Sequence, residues 1–265
     1  MSNITKIILF MVLVVGMVSV YVTADPQDPS GPDSINITSK SKFNASQHAA
    51  KLIRAEAGNL TELDIHGISP TQSWQGYYGD ITGTITLDDA FNNTMYDWYI
   101  AEPQGEIYAS NSSSVTWSNI SCLNYTDADG SETINLTELE AGYGIADDDP
   151  DGVNETFDVD GTIRSGAAHP TVYVGTHTIS TGTCPATNTY KNDSATTDNI
   201  DFVEILLTDK NNIIFTSIIE NDITGNNTDV YGFDSEKHDF QMLVLEDGHN
   251  GDDQTTNYYF FVEIE

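Results

Sequence analysis

The sequence predicts an all-β protein, an antiparallel β-sandwich of about ten short strands. Apolar and polar residues alternate with a period of two from Trp74 to the end of the chain, and turn signals recur about every 8 to 12 residues. No 11-residue window has convincing helical spacing. The length allows one large core or two small ones, so two packed β subdomains around an acidic, loop-rich middle at residues 127–160 are the alternative.

The N-terminal residues predict export. Lys6 precedes an apolar run from Ile7 to Val22, and Val22-Thr23-Ala24 offers small residues for cleavage. Residues 1–24 are therefore predicted to be a secretory signal peptide with a helical apolar run. An uncleaved anchor is the alternative, although about 16 apolar residues are fewer than the roughly 20 that span a bilayer.

A polar linker and then the sandwich domain are predicted after this segment. Residues 25–46 are polar and contain Pro and Ser, which indicates a flexible tether, or an arm that orders on a neighbouring molecule. The sandwich is assigned to residues 47–265. Its first pattern, Leu52–Ala57 and Leu60–Ile65 around Gly58-Asn59, predicts a hairpin. The Ala-rich stretch Gln47–Ala57 leaves a helix as the alternative.

Later strands follow from alternation. Ile81–Leu87 predicts a half-buried strand and Tyr96–Ile100 a second one, while Glu106–Ser110 and Val115–Trp117 continue the meander. Asp209–Asn212 joins two further strands as a hairpin loop. The strands predicted after the acidic middle are Thr171–Val174, Ile200–Thr208, Ile213–Ile219, Phe240–Leu245 and Tyr258–Glu265.

The last of these strands, Tyr258–Glu265, reaches the final residue of the sequence and carries four aromatic residues. Such a strand is expected to be held in place rather than frayed. It belongs either to the core of its own sheet or to an interface in which this strand, or the N-terminal segment, completes the sheet of a neighbour.

Asparagine usage predicts glycosylation. Of 21 Asn residues, 12 begin an N-x-[ST] triplet, whereas the Ser and Thr content would give about four by chance. Asn3 lies in the predicted signal peptide. N-glycans are bulky and require an exposed site on the secretory side. The mature acceptors are Asn36, Asn44, Asn59, Asn92, Asn111, Asn119, Asn124, Asn135, Asn154, Asn192 and Asn226.

Cys122 and Cys184 are the two cysteines. In an oxidising exterior such a pair is expected to form a disulfide. A reactive thiol is the alternative, but it lacks a His partner nearby in the sequence.

Charge excludes one class of partner. Asp and Glu number 41 and Lys and Arg 9, which gives a net charge of −32. This field repels nucleic acid and anionic lipid, so membrane contact is expected only through an uncleaved N-terminal segment. Self-repulsion of this size is tolerated in high salt or with bound cations. The composition is typical of proteins from salt-loving microbes, with an ordinary acidic secreted surface as the alternative.

One acidic loop has the spacing of a calcium site. Asp147, Asp149 and Asp151 alternate before Gly152, and Asp158 occupies the twelfth place. The loop resembles EF-hand and thrombospondin-type calcium loops, although no helical pattern flanks it and Asp replaces the usual Glu. The sequence thus predicts a Ca²⁺ loop as the one cofactor site, with a solvated acidic loop as the alternative.

Motifs for catalysis are missing from the sequence. The six His residues show neither HExxH nor paired Cys/His spacing, and no G-x-S-x-G, phosphate-binding loop or dinucleotide fingerprint occurs. Aromatic residues of the first half either fill the core or stack on sugar rings. These residues are Trp74, Tyr77, Tyr78, Trp98, Tyr99, Tyr108 and Trp117.

Five short motifs carry a resemblance. They are WQGYYG (Trp74–Gly79), ITGTITLDDA (Ile81–Ala90), MYDW (Met95–Trp98), DFQMLV (Asp239–Val244) and YYFFVE (Tyr258–Glu263). Together they resemble an uncharacterised family of secreted archaeal surface proteins. The resemblance implies an archaeal cell-surface setting and carries over no catalytic residues.

These observations predict a secreted, glycosylated archaeal surface protein that acts by assembly and is not an enzyme. It would be a surface-layer, filament or adhesin-like component, with copies of itself, other surface proteins or glycans as partners. A carbohydrate-binding module with a calcium loop is the alternative. A secreted hydrolase is third, and it would need two carboxyl groups about 5 to 10 Å apart in a cleft.

Overall fold

The computed structural model describes residues 27–42, 49–126, 134–146, 148–220, 230–247 and 255–264. The predicted signal peptide lies outside these residues. Strand makes up 34% and helix 7% of the structure, and none of its sheets is closed into a barrel. The prediction of an all-β, sandwich-like fold is therefore confirmed.

Fourteen short strands and two short helices form within the described residues. The strands of the first half are β1 (Trp74–Gly79), β2 (Gly83–Asp88), β3 (Thr94–Ile100), β4 (Gly105–Ser110) and β5 (Ser121–Cys122). The helices are α1 (Leu136–Gly142) and α2 (Val153–Thr156). The strands of the second half are β6 (Val172–Val174), β7 (His177–Ile179), β8 (Ala186–Asn188), β9 (Val203–Thr208), β10 (Ile213–Ile218), β11 (Val230–Tyr231), β12 (Lys237–His238), β13 (Phe240–Leu245) and β14 (Tyr259–Ile264).

A six-stranded antiparallel sheet forms the centre of the molecule. Its strand order is β14-β4-β10-β9-β5, with β8 also pairing with β9. Every residue of β4, β9 and β10 is buried. Both faces of the sheet are therefore covered, and apolar residues of these strands occur on each face, such as Leu206 and Phe215 on one and Ile205 and Ile214 on the other.

One face of the central sheet is covered by the β1–β13 pair and the two helices. Phe215 and Leu206 of the sheet pack there with Met242 of β13, Leu139 of α1 and Phe157 after α2. Trp74 of β1 completes this core by contacting the Phe215 ring edge-on, at 6.4 Å between centroids.

The opposite face is covered by the β6–β7 hairpin and by the chain around Trp117. Val172 and Ile179 of this hairpin pack against Ile205 and Ile214 of the central sheet. The two apolar clusters thus lie on opposite faces of one sheet, which is the arrangement of one sandwich-like body.

The predicted disulfide is present and ties one end of the central sheet. Cys122 of β5 joins Cys184, which lies just before β8 and 62 positions later in the sequence, with 4.7 Å between their Cα atoms. Closing a loop of this length contributes about 4 kcal/mol in the chain-entropy model. The buried His169 holds the same corner, because its Nε2 accepts the backbone N–H groups of Thr183 and Cys184, both at 2.9 Å.

A buried acid links the two layers. Glu204 of β9 is fully buried, and one of its carboxylate oxygens accepts the N–H of Leu243 in β13 at 2.8 Å. Its other oxygen has no hydrogen-bond partner among the described residues. Ser217 of β10 similarly donates to the carbonyl of Gln241 at 2.9 Å. Side chains of the central sheet therefore provide hydrogen-bond partners for backbone groups on the edge of β13 that faces away from β1.

Two local predictions are wrong. Residues 52–65 form neither the predicted hairpin nor the alternative helix; they contain one turn, at Ala57-Gly58 and not at the predicted Gly58-Asn59, and are exposed throughout. Their apolar side chains find no second layer to pack on, which short hairpins need for stability. Val115–Trp117 leads into a 3₁₀ turn at Trp117–Asn119 instead of a strand.

Glu204 makes stability depend on pH. Burial raises the pKa of this carboxyl well above its ordinary value. The folded state holds the proton more tightly than the unfolded chain, so the free energy of unfolding should fall as pH rises from about 4.3 through the raised folded pKa. Glu204→Gln mimics the protonated acid and should be the more stable protein at pH 8 by at least about 1 kcal/mol. Urea unfolding at several pH values measures this difference.

The exposed Glu236→Gln is the matched control, and it should unfold like the wild type at every pH. Equal pH dependence in Glu204→Gln and the wild type would contradict the role assigned to Glu204.

Candidate functional site

The candidate site is the hairpin of β2 and β3, called here the aromatic hairpin (residues 83–100). These two strands pair only with each other among the described residues and belong to no larger sheet. All their residues are exposed except Gly83 and Ile100 at the base. An isolated two-stranded hairpin is marginal in water, so its exposure requires a structural or functional reason.

Cross-strand register sorts the hairpin into an apolar and a polar face. Ile85 lies opposite Trp98 and Leu87 lies opposite Tyr96, so these four side chains share one face. Thr84 and Thr86 lie on the other face with Tyr99 and Asp97, their cross-strand partners. Strands buried on one face have this pattern, which is why the sequence predicted a half-buried strand.

The apolar face is nevertheless open to solvent. Trp98 is 49% exposed and Tyr96 58% exposed, and their ring centroids lie 4.8 Å apart at an angle of 58°. Leu87, at 51%, extends the same surface. With Ile85 these side chains leave on the order of 400 Å² of contiguous apolar and aromatic surface, comparable to the largest patch on an ordinary monomer.

The other two Trp residues do not share this exposure. Trp74 donates its indole N–H to the carbonyl of Asp151 at 2.7 Å, and Trp117 packs edge-on between Tyr108 and Phe261. The sequence favoured a core position for all the aromatics of this half. That preference is confirmed for Trp74, Tyr77, Tyr108 and Trp117, and it is wrong for the exposed Tyr78, Trp98 and Tyr99.

A well-ordered turn closes the hairpin. The carboxylate of Asp89 accepts the backbone N–H groups of Phe91 and Asn93 at 2.8 and 2.9 Å, and the side-chain amide of Asn93 at 2.8 Å. These hydrogen bonds, led by that from the Asn93 side chain, lower the pKa of Asp89. Asn92 adopts a left-handed conformation with φ of 62°, which asparagine tolerates well. The tip therefore presents Phe91, which is 85% exposed, next to a predicted glycan acceptor.

The hairpin base is fixed to the body. A Cβ added at Gly83 would lie 2.5 Å from Cδ1 of Ile264 in β14, so the base of the hairpin packs closely against the end of this side chain. The carboxylate of Asp239 accepts the N–H of Ile81 at 2.6 Å, and the N–H of Asp239 binds the carbonyl of Gly79 at 3.0 Å. The sandwich thus holds the hairpin at its base, while no other strand of the described residues pairs with its outer part.

The predicted glycan acceptors lie where glycosylation requires. Nine of the eleven belong to the described residues, and eight of these are exposed: Asn36, Asn59, Asn92, Asn111, Asn119, Asn124, Asn154 and Asn192. Asn135 is partly buried, and its side-chain oxygen caps α1 by accepting the N–H of Glu138. Asn44 and Asn226 lie outside the described residues. Glycosylation itself stays a prediction.

Acidic residues of the predicted calcium loop are only partly placed, because Asp147 lies outside the described residues. The carboxylate of Asp151 accepts the hydroxyl of Thr71, and that of Asp158 accepts the N–H of Ser165. No three His, Cys, Asp or Glu side chains converge as a metal site within the described part of the chain, where Asp149 also lies. The calcium loop stays a prediction.

The expectation that no helix flanks this loop is wrong. The short helix α1 (Leu136–Gly142) precedes it and α2 (Val153–Thr156) begins directly after Gly152. The carboxylate of Glu140 accepts the N–H of Val153 at 2.9 Å and so holds the start of α2. Both helices are too short for their apolar spacing to stand out in the sequence.

One open cleft of about 390 Å³ bears on the hydrolase alternative. Two carboxylates, Glu138 and Asp247, line it together with Asn111, Tyr143 and Thr256. The predicted glycan acceptor Asn111 belongs to the cleft wall, and an attached sugar would occupy the same space.

No described helix has the length and apolarity needed to cross a bilayer. Comparison of the chain with protein-family models, curated proteins and solved structures finds no match. The resemblance to secreted archaeal surface proteins therefore stays a prediction, and function must be argued from the site.

Exposed aromatics on the hairpin should contribute little to folding. Trp98→Ala and Tyr96→Ala are each expected to lower the free energy of unfolding by less than about 1 kcal/mol, since each side chain is about half solvated already. Phe215→Ala, which empties the buried core, should cost about 3 to 5 kcal/mol. Urea unfolding of the three variants provides the comparison. A loss for Trp98→Ala as large as that for Phe215→Ala would mean that the hairpin face is not open.

The calcium loop has its own test. Removal of Ca²⁺ with EDTA at fixed ionic strength is expected to lower Tm, because an ion that binds only the folded state stabilises it. Asp149→Asn should reduce this response, while Asp160→Asn, exposed and outside the ligand pattern, should preserve it. An unchanged Tm after chelation would argue against a calcium loop.

Proposed function

We propose that this chain is a secreted, N-glycosylated archaeal cell-surface protein that acts by assembly or attachment. The observation that supports the proposal best is the apolar face of the aromatic hairpin. A sandwich that covers both faces of its central sheet leaves a well-ordered, amphipathic hairpin standing in solvent. A face of this kind is typical of a contact surface for another macromolecule.

The partner is a surface protein or another copy of the chain. Trp98 and Tyr96 have the residue types that dominate protein interfaces, with Ile85 and Leu87 beside them. No strand of the described residues pairs with the outer edges of β2 and β3, so these edges add backbone N–H and C=O groups that another strand can bind. The exposed acceptors would carry sugars around this contact and maintain solubility elsewhere.

Net charge sets the condition for assembly between copies. Each chain carries −32, so two copies repel each other at low ionic strength. Raising the salt from about 0.1 M to about 1 M shortens the Debye length from about 10 Å to about 3 Å and removes most of this repulsion. Assembly through the apolar face is therefore favoured in a saline exterior.

Carbohydrate binding is the second candidate, and the exposure of Trp98 and Tyr99 favours it. Aromatic rings in solvent can stack on sugars, and the neighbouring Asp97 carboxylate can accept hydroxyl hydrogen bonds. The tilt of 58° between Tyr96 and Trp98 gives two separate rings instead of one flat platform. For this reason we prefer the protein partner.

The double variant Tyr96→Ala/Trp98→Ala tests the proposal. Each aromatic is expected to contribute about 1 to 2 kcal/mol to the contact, so the concentration at half-assembly should rise at least tenfold. Sedimentation of the purified protein over a range of salt concentrations measures assembly, and retention on cells measures attachment. Tyr173→Ala, a half-exposed tyrosine of β6 outside the hairpin, is the matched control.

The same variants separate the two candidates. If isolated surface polysaccharide binds the wild type and releases it from cells, carbohydrate binding is the correct function. If the double variant assembles and attaches like the wild type, the hairpin is not the contact surface.

A further inference from the structure

The outer edge of the central sheet is where the N-terminal linker meets the body. Strand β14 pairs with β4 over its whole length on its inner side. On its outer side, Val262 exchanges two backbone hydrogen bonds with Ser30, at 2.8 and 3.2 Å. The preceding Pro29 is buried, and Asp28 lies against Gly175. We call residues 28–33 the arm.

The outer edge of β14 has room for a longer strand than the arm supplies. Backbone groups alternate sides along an antiparallel strand, so Phe260 and Ile264 direct their N–H and C=O groups the same way as Val262. Among the described residues, Ser30 forms the one bridge to this edge. Such an edge is a template on which a strand from another molecule can pair.

The chain between the arm and the body is long and lacks regular structure where it is described. Residues 34–42 and 49–72 contain no helix or strand, and residues 49–69 are all exposed. These described residues number about 33, and a flexible chain of that length spans roughly 30 Å on average. This reach allows the arm to dock on its own β14 or on that of an adjacent molecule.

We propose that the arm exchanges between copies, so that Ser30 of one molecule pairs with Val262 of the next. The inference deepens the proposed function and rests on it. Contacts are the same in the closed and the exchanged form, so local protein concentration decides which one prevails. A linker of this length corresponds to an effective concentration near the millimolar range, which a crowded cell surface can match.

Exchange also determines the geometry of the assembly. Arm and edge are different surfaces of the chain, so the contact is head-to-tail and extends into a row unless the rotation closes it. The arm carries Asp28 and Asp33 and no cation, which again makes the contact stronger in salt.

Mixing chains that each carry one added cysteine beside the Cys122–Cys184 disulfide tests the exchange. The full chain is prepared as Ser30→Cys with one tag and as Val262→Cys with another, and the two are mixed under mild oxidation at rising concentration. Directly opposed, hydrogen-bonded residues lie about 5.5 Å apart at Cα, within the range that a disulfide spans. A mixed disulfide between the two tags is expected on a non-reducing gel. Ser41→Cys, exposed and outside the arm, replaces Ser30→Cys as control and should give little product.

A second variant avoids thiols and leaves β14 intact. Inserting about 40 Gly/Ser residues after Ser41 roughly doubles the linker and lowers the effective concentration of the arm at its own edge about threefold, so the concentration at half-assembly should fall by about the same factor. Ser34→Pro, in the exposed part of the linker, should have no effect.

The outcomes separate the two proposals. Assembly of the wild type without a mixed disulfide, and without an effect of the longer linker, would overturn the exchange and leave the proposed function standing. Failure of the wild type to assemble or attach under any condition would overturn both.

Discussion

Burial of β4, β9 and β10 on both faces is the constraint on which the rest of the molecule depends. Because these strands contact two apolar layers, the chain must supply both: β1–β13 with the helices on one face, and β6–β7 with the disulfide corner on the other. Some polar groups inside this body find partners locally, as the backbone N–H of Leu243 does in the carboxylate of Glu204. The apolar surface that remains, on the aromatic hairpin, is therefore not needed to close the core.

The strongly negative charge explains how the surface loops of this protein are held in place. With 41 acidic and 9 basic residues, few ion pairs are available to hold loops in place. Carboxylates instead accept backbone N–H groups, as Asp89 does at the hairpin tip and Asp209 does in the β9–β10 loop. Turns built this way are well ordered while the surface stays strongly negative. Contacts with other molecules must then come from apolar faces and from strand edges, and the hairpin and the arm provide one of each.

Alternation in the sequence was sufficient to predict the strand content, the late strands and the Asp209–Asn212 loop, because period two reports directly on a pleated strand. It could not predict which strands are covered: β2 and β9 both read as strands, yet β2 is exposed and β9 is buried. Leu52–Ile65 failed for the same reason, since local spacing says nothing about a second layer. The Ser30–Val262 pair joins residues far apart in sequence, and local sequence patterns cannot predict such a contact. The candidate site was visible in sequence only as a set of aromatics whose exposure depends on tertiary packing.

Amide hydrogen exchange on the protein at the cell surface, compared with the isolated protein, tests most directly whether the hairpin is a contact surface. Outer-edge amides of β2 and β3 should exchange rapidly in the isolated protein and become protected at the surface, while those of β9 and β10 stay protected in both. Equal exchange of residues 83–100 in the two settings would contradict the account.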